Sequence, residues 1–155
     1  MTPLIDPRSL IREAVAADAA RMRECVHAAY EHYIERIGKP PGPMLDDYEQ
    51  VAAGPDSYVV ELDARIAGML VLIESTGRLL LDNVAVHPFA QGRGIGRALV
   101  GFAEAEARSR GFGAIDLYTN ELMTENIARY TKLGYEEVER KTERGFNRVY
   151  MRKRV

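Results

Sequence analysis

Three glycines fall within six residues, Gln91-Gly92-Arg93-Gly94-Ile95-Gly96, between a strand-forming run and a helical repeat. Glycine lets the backbone take positive φ and lets a ligand approach with no Cβ in the way. A helix that begins here presents free amides and the positive end of its dipole, which suits a phosphate or pyrophosphate. Arg93 and Arg97 add charge of the right sign. Two familiar phosphate-binding patterns do not fit. A P-loop needs Gly-Lys followed by Ser or Thr, and the chain has no such triplet. A dinucleotide fingerprint needs a third glycine three residues after the second. That position is Arg97 counted from Gly92 and Leu99 counted from Gly94. Asp116 falls at a suitable distance for a ribose contact, but the strands before the turn form a meander rather than βαβ units.

Other reactive side chains are few. Cys25 is the only cysteine, which excludes an intrachain disulfide framework and a zinc-thiolate cluster and fits a reducing cytosol. It has no apparent histidine partner in the sequence, so packing is the expectation, and no metal is expected. His87, just before Pro88, could serve as a base near neutral pH. Net charge is −2, which argues against a general nucleic-acid binder. Residues 1–75 carry 7 Lys/Arg against 13 Asp/Glu, net −6, and residues 76–155 carry 14 against 10, net +4. Two readings stay open: scatter on a solvated surface, or a basic half that meets an anion while the acidic half faces a cation. Arg140 to Arg154 hold seven of the basic residues, read as a solvated face or a dimer contact. The longest apolar runs are far short of the ~20 residues of a membrane span. MTPLIDPRSL shows no basic stretch followed by an apolar core. A cytoplasmic protein without a leader is the expectation.

These residues need elements to hold them. The 155 residues are expected to form one domain, 1–155, with no linker or repeat. A strand over about Leu10–Val15 leads to a helix capped by Asp18, with Met22, Val26, Tyr30, Tyr33, Ile34 and Ile37 at helical spacing and Gly38 as its stop. Lys39-Pro40-Pro41-Gly42-Pro43-Met44 is a stiff loop, followed by a short helix over Asp46–Ala53. Tyr58–Leu62, Arg65–Glu74 and Arg78–Val86 read as an antiparallel meander. Ile95, Ala98, Leu99, Phe102 and Ala103 mark the helix behind the glycine turn. Then come a strand Ala114–Tyr118, a helix Thr124–Lys132, and strands Tyr135–Lys141 and Phe146–Arg152. The strand–helix–strand crossover among antiparallel neighbours predicts an α/β (α+β) fold. Its twisted sheet of about seven strands is mixed, mostly antiparallel, with helices on both faces.

In these segments the chain resembles the GNAT superfamily of N-acetyltransferases. The family's signature is Gln or Arg, two residues, Gly, one residue, then Gly or Ala; here it reads Gln91…Gly94-Ile95-Gly96. It follows the strand Asp82–Pro88, and a second family segment matches as Glu125 to Tyr135, so the resemblance covers about residues 8–152. It implies acetyl-CoA as co-substrate, with the Val84, Ala85 and Val86 backbone pairing with the pantetheine arm. The amides from Gly92 to Gly96, with Gln91, Arg93 and Arg97, would hold the pyrophosphate. Asn126 would meet the arm or a nearby water. Tyr130 would be the general acid facing the thioester sulfur, with an alkaline fall in rate near the tyrosine pKa of ~10. Tyr30, Tyr33 and the Gly38–Met44 loop would shape the acceptor pocket. His87 would lie on the phosphate side.

Asp82 is a candidate base and acceptor contact; strand alternation places it on the same face as Val84 and Val86. Some family members carry a Glu where this chain has Leu80. The implied activity is acetyl transfer to a primary amine, on a small molecule or a protein chain, without metal, nucleic acid or membrane. A homodimer through the late strands is plausible from family habit. The alternative is a module that senses acyl-CoA without turnover.

Overall fold

The computed structural model describes residues 6–155, so the first five residues of the opening segment, where no leader is expected, lie outside the described residues. Seven strands form one sheet in the order β1-β2-β3-β4-β5-β7-β6. They are β1 Ile11–Glu13, β2 Ser57–Leu62, β3 Arg65–Ser75, β4 Arg78–Val86, β5 Ala114–Asn120, β6 Glu136–Glu143 and β7 Phe146–Arg154. Only β4 and β5 pair in parallel; every other pairing is antiparallel. This is the mixed, mostly antiparallel sheet the sequence predicts.

Five helices cover it: α1 Ala19–Tyr30, α2 Tyr33–Ile37, α3 Tyr48–Ala53, α4 Ile95–Ser109 and α5 Thr124–Lys132. On one face α1 and α3 bury Met22, Cys25, Val26 and Tyr48 against Val59, Met69 and Ala85. On the other, α4 buries Ile95, Leu99 and Ala103, and α5 buries Tyr130, against Leu70, Leu79, Leu81, Ile115 and Leu117. Gly68 on β3 sets how close α4 can come. A Cβ there would meet Ile95 Cγ2 at 2.8 Å, a distance that real Cβ atoms essentially never show, and Leu99 Cδ1 at 3.0 Å, tighter than nine in ten real contacts.

Three expectations need correction. The opening strand spans only Ile11–Glu13, because Pro7–Leu10 forms a 3-10 turn capped by Asp6. Asp18 does not cap α1. Its carboxylate reaches back to the Val15 amide (2.8 Å) and is clasped by Arg12 and Arg21, each at 2.8 Å. Those guanidiniums outweigh the cost of burial and hold the Asp18 carboxyl down at about 2. The long first helix breaks between α1 and α2 at Glu31-His32, where Ile34 N–H turns back to Glu31 O at 3.1 Å. The apolar period continues across the break, so periodicity alone does not reveal it.

β4 carries the feature that organises the site. Val71 pairs with Asn83 and Leu72 with Leu81, which leaves Asp82 as an extra residue in a β-bulge. A bulge bends its strand and ends regular pairing. Correspondingly, β4 and β5 pair only from Leu79–Leu81 to Ile115–Leu117. Beyond that, β4 stays with β3 to Val86 and β5 stays with β7 to Asn120. The two strands diverge, and a V opens mid-sheet.

Candidate acyl-transfer site

The glycine turn closes one end of this V. Gly92 and Gly94 both lie at φ +81°, with nothing within 4 Å of the position a Cβ would take. Gly94 is the N-cap of α4, and the first helical bond runs from Ala98 N–H to Gly94 O at 3.0 Å. The amides from Gly92 to Arg97 therefore meet no acceptor among the described residues and remain available to an anion. Gln91 Nε2 donates to Val86 O at 3.4 Å and ties the turn to the strand. Arg97 lines the cleft, whereas the exposed Arg93 lies outside its lining.

The open edge of β4 is the floor of a cleft of about 810 Å³. His87 N–H donates to Ala67 O on β3. With a period of two, Ala85 turns its backbone groups toward β3 as well, and Val84 and Val86 turn theirs into the V. Of the three residues expected to offer an edge, two do so. Both carbonyls are already touched by side chains: Tyr30 Oη donates to Val84 O at 2.9 Å, and Gln91 reaches Val86 O. The cleft's far wall is α5. Its Arg129 and Lys132 line the cleft together with Arg97, and neither was singled out in the sequence. Their spacing of three on a helix, beside Asn126 and Tyr130, is the signal that could have found them. Across the mouth, Arg36 of α2 pairs with Glu125 of α5 at 2.7 Å, and Tyr33 Oη donates to the same carboxylate oxygen at 3.4 Å. Tyr33 thus lines the large cleft.

Behind the bulge lies a second space of about 40 Å³, walled by Pro41–Pro43, Asp82, Tyr118, Phe146 and Arg148. Tyr118 Oη donates to Asp82 Oδ1 at 2.8 Å. Tyr118 alternates with Ile115 and Leu117, which face the core under α4. Asp82 therefore lies on the sheet face opposite to Val84 and Val86, which pack on that core. The expected shared face fails because the bulge inserts one residue and shifts the alternation. Asp82 faces the small pocket. Asn83 Nδ2 reaches Tyr48 Oη at 3.3 Å, and Tyr48 in turn donates to Pro43 O, so the proline loop is fastened to β4. Burial and the neighbouring Asp82 push the Asp46 carboxyl above the usual range, with Arg144 and Arg148 opposing.

Four residues line both spaces: Tyr30, Val84, Asn126 and Tyr130. Tyr130 is 9% exposed and its ring stacks edge-on to Tyr135. Its hydroxyl makes no hydrogen bond among the described residues. Among the described residues no buried side-chain polar atom lacks a partner, so that oxygen is reachable from the cleft. Burial pushes its pKa up to about 12, with Arg129 opposing, and keeps the phenol protonated at neutral pH. Asn126 Nδ2 contacts Met123 Sδ at 3.6 Å.

The other reactive side chains lie elsewhere. Burial raises the Cys25 thiol to about 12, unsuited to a nucleophile. His87 accepts from Phe89 N–H at 3.2 Å and sits 3.3 Å from an Arg65 nitrogen, lining neither space; burial and Arg65 lower its pKa. Asp116 is taken by Arg152 at 2.7 Å and Arg78 at 3.1 Å, which closes the dinucleotide reading.

No helix of the described residues is long and apolar enough to cross a membrane. An uncharacterized N-acetyltransferase of Escherichia coli (strain K12), YjgM, is 29% identical over 126 residues, covering 77% of this chain and 75% of that protein. A mycothiol acetyltransferase of Nocardia farcinica (strain IFM 10152) is 44% identical over 52 residues, 34% of this chain; that stretch is 17% of the relative's length. The crystal structure of a PaiA N-acetyltransferase from Thermoplasma acidophilum, in complex with coenzyme A, has the same fold. It superposes with a TM-score of 0.72 at 16% identity, over 94% of this chain and 98% of that one. A model described as the acetyltransferase (GNAT) family matches residues 20–135. With three quarters of its length under that match and the V-shaped sheet in place, the chain belongs to the acetyltransferase (GNAT) family.

Proposed function

We propose that the protein transfers the acetyl group of acetyl-CoA to a primary amine by direct attack, with Tyr130 as general acid. The observation that carries this is the meeting of the two spaces at Tyr130. The larger is built for a long anionic ligand, the smaller for a compact partner, and a reactive hydroxyl stands where they join. The amides of Gly92–Arg97 would take the pyrophosphate, with Arg97, Arg129 and Lys132 adding charge. Val84 and Val86 would offer the backbone groups that face the V to the pantetheine amides, with Gln91 yielding or sharing the Val86 carbonyl, and Asn126 lies beside the same path. For this Tyr30 would yield its bond to the Val84 carbonyl or share it.

Acetyl-CoA supplies a thioester, whose carbonyl carbon the amine nitrogen attacks. A C–N bond forms, the C–S bond breaks, the departing sulfur takes the Tyr130 proton, and the acylated nitrogen gives up its extra proton through solvent to restore the Tyr130 phenol. The amine must first be neutral, and alkyl amines have pKa near ~10. Asp82, which lines the small pocket, would receive that proton directly or through a water. Tyr118 donates to Asp82 and so orients the carboxylate.

Tyr130→Phe tests the reading, because it removes one hydroxyl and keeps the ring on Tyr135. A thiol pKa near ~8.5 makes thiolate a tolerable leaving group, so the loss should sit at the low end for acid catalysis, about 10²-fold in kcat. Acetyl-CoA affinity should stay within about threefold. The raised pKa also moves the expected alkaline limb: Tyr130 should not cause a fall near pH ~10, since it loses its proton only at about 12. Wild-type turnover in the Phe variant would remove Tyr130 as the acid. Coenzyme A binding with no transfer to any amine would favour the sensing role instead.

A further inference from the structure

The small pocket contains a charge that acetyl transfer leaves without a task. Arg148 of β7 is half-buried, and its guanidinium lies 4.4 Å from the centre of the Tyr118 ring. On the same strand, Arg152 is paired with Asp116 and Lys153 with Glu104. Arg148 has no carboxylate within ion-pair distance among the described residues, although it lines the pocket. Space has been left for it: a Cβ on Gly42 would stand 3.3 Å from the Arg148 terminal nitrogen. A planar fork of donors beside a cavity is suited to a carboxylate.

Asp82 sits at the other end of the same tyrosine. Tyr118 gives its hydroxyl to Asp82 and its ring face to Arg148. The anion and the cation are thus too far apart to satisfy each other, with one ring between them. Among the residues that line the pocket, Asp82 and Arg148 are the two charged ones, and they are of opposite sign. A purely cationic acceptor would leave the guanidinium without a partner, whereas a zwitterion would find a partner for each end. The volume of about 40 Å³ corresponds to roughly three water-sized sites. That suits a few heavy atoms rather than a long chain.

Resting on the acetyl-transfer reading, we propose that the acceptor is a small amine that also carries a carboxylate. Its nitrogen is received at Asp82 beside Tyr130, and its carboxylate pairs with Arg148 over the Tyr118 ring. In the reaction the nitrogen forms the bond to the acetyl carbon and the sulfur leaves with the Tyr130 proton. The ammonium's proton departs toward Asp82 before the attack, the acylated nitrogen's extra proton returns through solvent to the Tyr130 oxygen, and the carboxylate is unchanged. Arg148 positions the acceptor and takes no proton.

The test uses the intact protein with acetyl-CoA and matched acceptors, with thiol release as readout. Glycine, alanine, β-alanine and γ-aminobutyrate are each compared with their methyl ester and their decarboxylated amine. At least one acid should exceed both of its partners in kcat/KM by about tenfold or more, the size of a charge-assisted contact. The ester's amine is less basic and more often neutral, which biases the comparison against the proposal. Arg148→Gln should bring the acid-to-ester ratio near unity, and Arg148→Lys should restore part of it. Equal or better use of the esters, the simple amines or a peptide N-terminus overturns the proposal, and so does a ratio that survives Arg148→Gln. The wild-type comparison needs no variant to fold. If no amine releases thiol, the transfer reading fails separately. The coenzyme A-saturated protein is then titrated with the same acids and esters. Acids binding about tenfold tighter uphold the carboxylate site, and equal binding or none overturns it.

Discussion

The two spaces that meet at Tyr130 are made in opposite ways. The large cleft takes nearly half of its lining from one continuous stretch, Val84 to Arg97, where a strand edge, a glycine turn and the first amides of α4 offer backbone groups. The small pocket has no such stretch and is gathered from the proline loop, the β4 bulge, β5, α5 and β7. Backbone recognises a feature that does not vary, such as a pyrophosphate or an amide chain. Side chains recognise whatever differs between acceptors. The arrangement separates a fixed half of the reaction from an adjustable half, with Tyr30 and Tyr130 on the boundary.

The separation can be broken from either side. The largest effect is expected at Gly94. Valine there has open space, yet φ +81° is a conformation that β-branched L-residues strongly disfavour. Forced to adopt another φ, the turn would withdraw its amides. Acetyl-CoA affinity should fall about 10²-fold or more by calorimetry while circular dichroism stays native, and unchanged affinity in a folded variant would remove the phosphate role. Exchanging Lys39–Met44 for a glycine–serine loop of equal length should act on the other half. Acceptor KM should rise about tenfold, with that of acetyl-CoA held within about twofold; equal changes in both would mean that the loop only supports the fold. The smallest effect, and the one that sharpens the boundary, is Tyr30→Phe. It deletes a hydrogen bond to the Val84 carbonyl, a contact worth about 1 kcal/mol. Both KM values should shift by about three- to fivefold, and a change confined to one of them would assign Tyr30 to that side alone.

The same division explains what could be read in the sequence. The strands of the meander, the glycine turn, α4 and α5 are local: Arg78–Val86 and Thr124–Lys132 fall where apolar period and turn residues place them. The candidate phosphate turn was legible because one contiguous stretch builds it. The small pocket was not. Arg148 reads as one more basic residue in a charged tail until β7 pairs beside β5 and lays it over Tyr118. Asp82 was found as a residue but put on the wrong face, because a single unpaired residue is invisible to a period of two. Asp18 was taken for a cap because its clasp by Arg12 and Arg21 exists only once β1 and α1 are side by side.

The open edge of β4 has a consequence for how the molecule behaves among its own copies. A row of unpaired backbone groups is a template on which another chain can add a strand. The outer edges of this sheet are poor templates. β1 has three residues, and β6, Glu136–Glu143, is strewn with acidic and basic side chains. The edge at Val84 and Val86 has neither protection, but it lies inside the V between β4 and β5, with its carbonyls covered by Tyr30 and Gln91. The fold thus keeps an open strand edge available to a narrow ligand inside the cleft, while the two edges that face outward are poor templates for neighbouring chains.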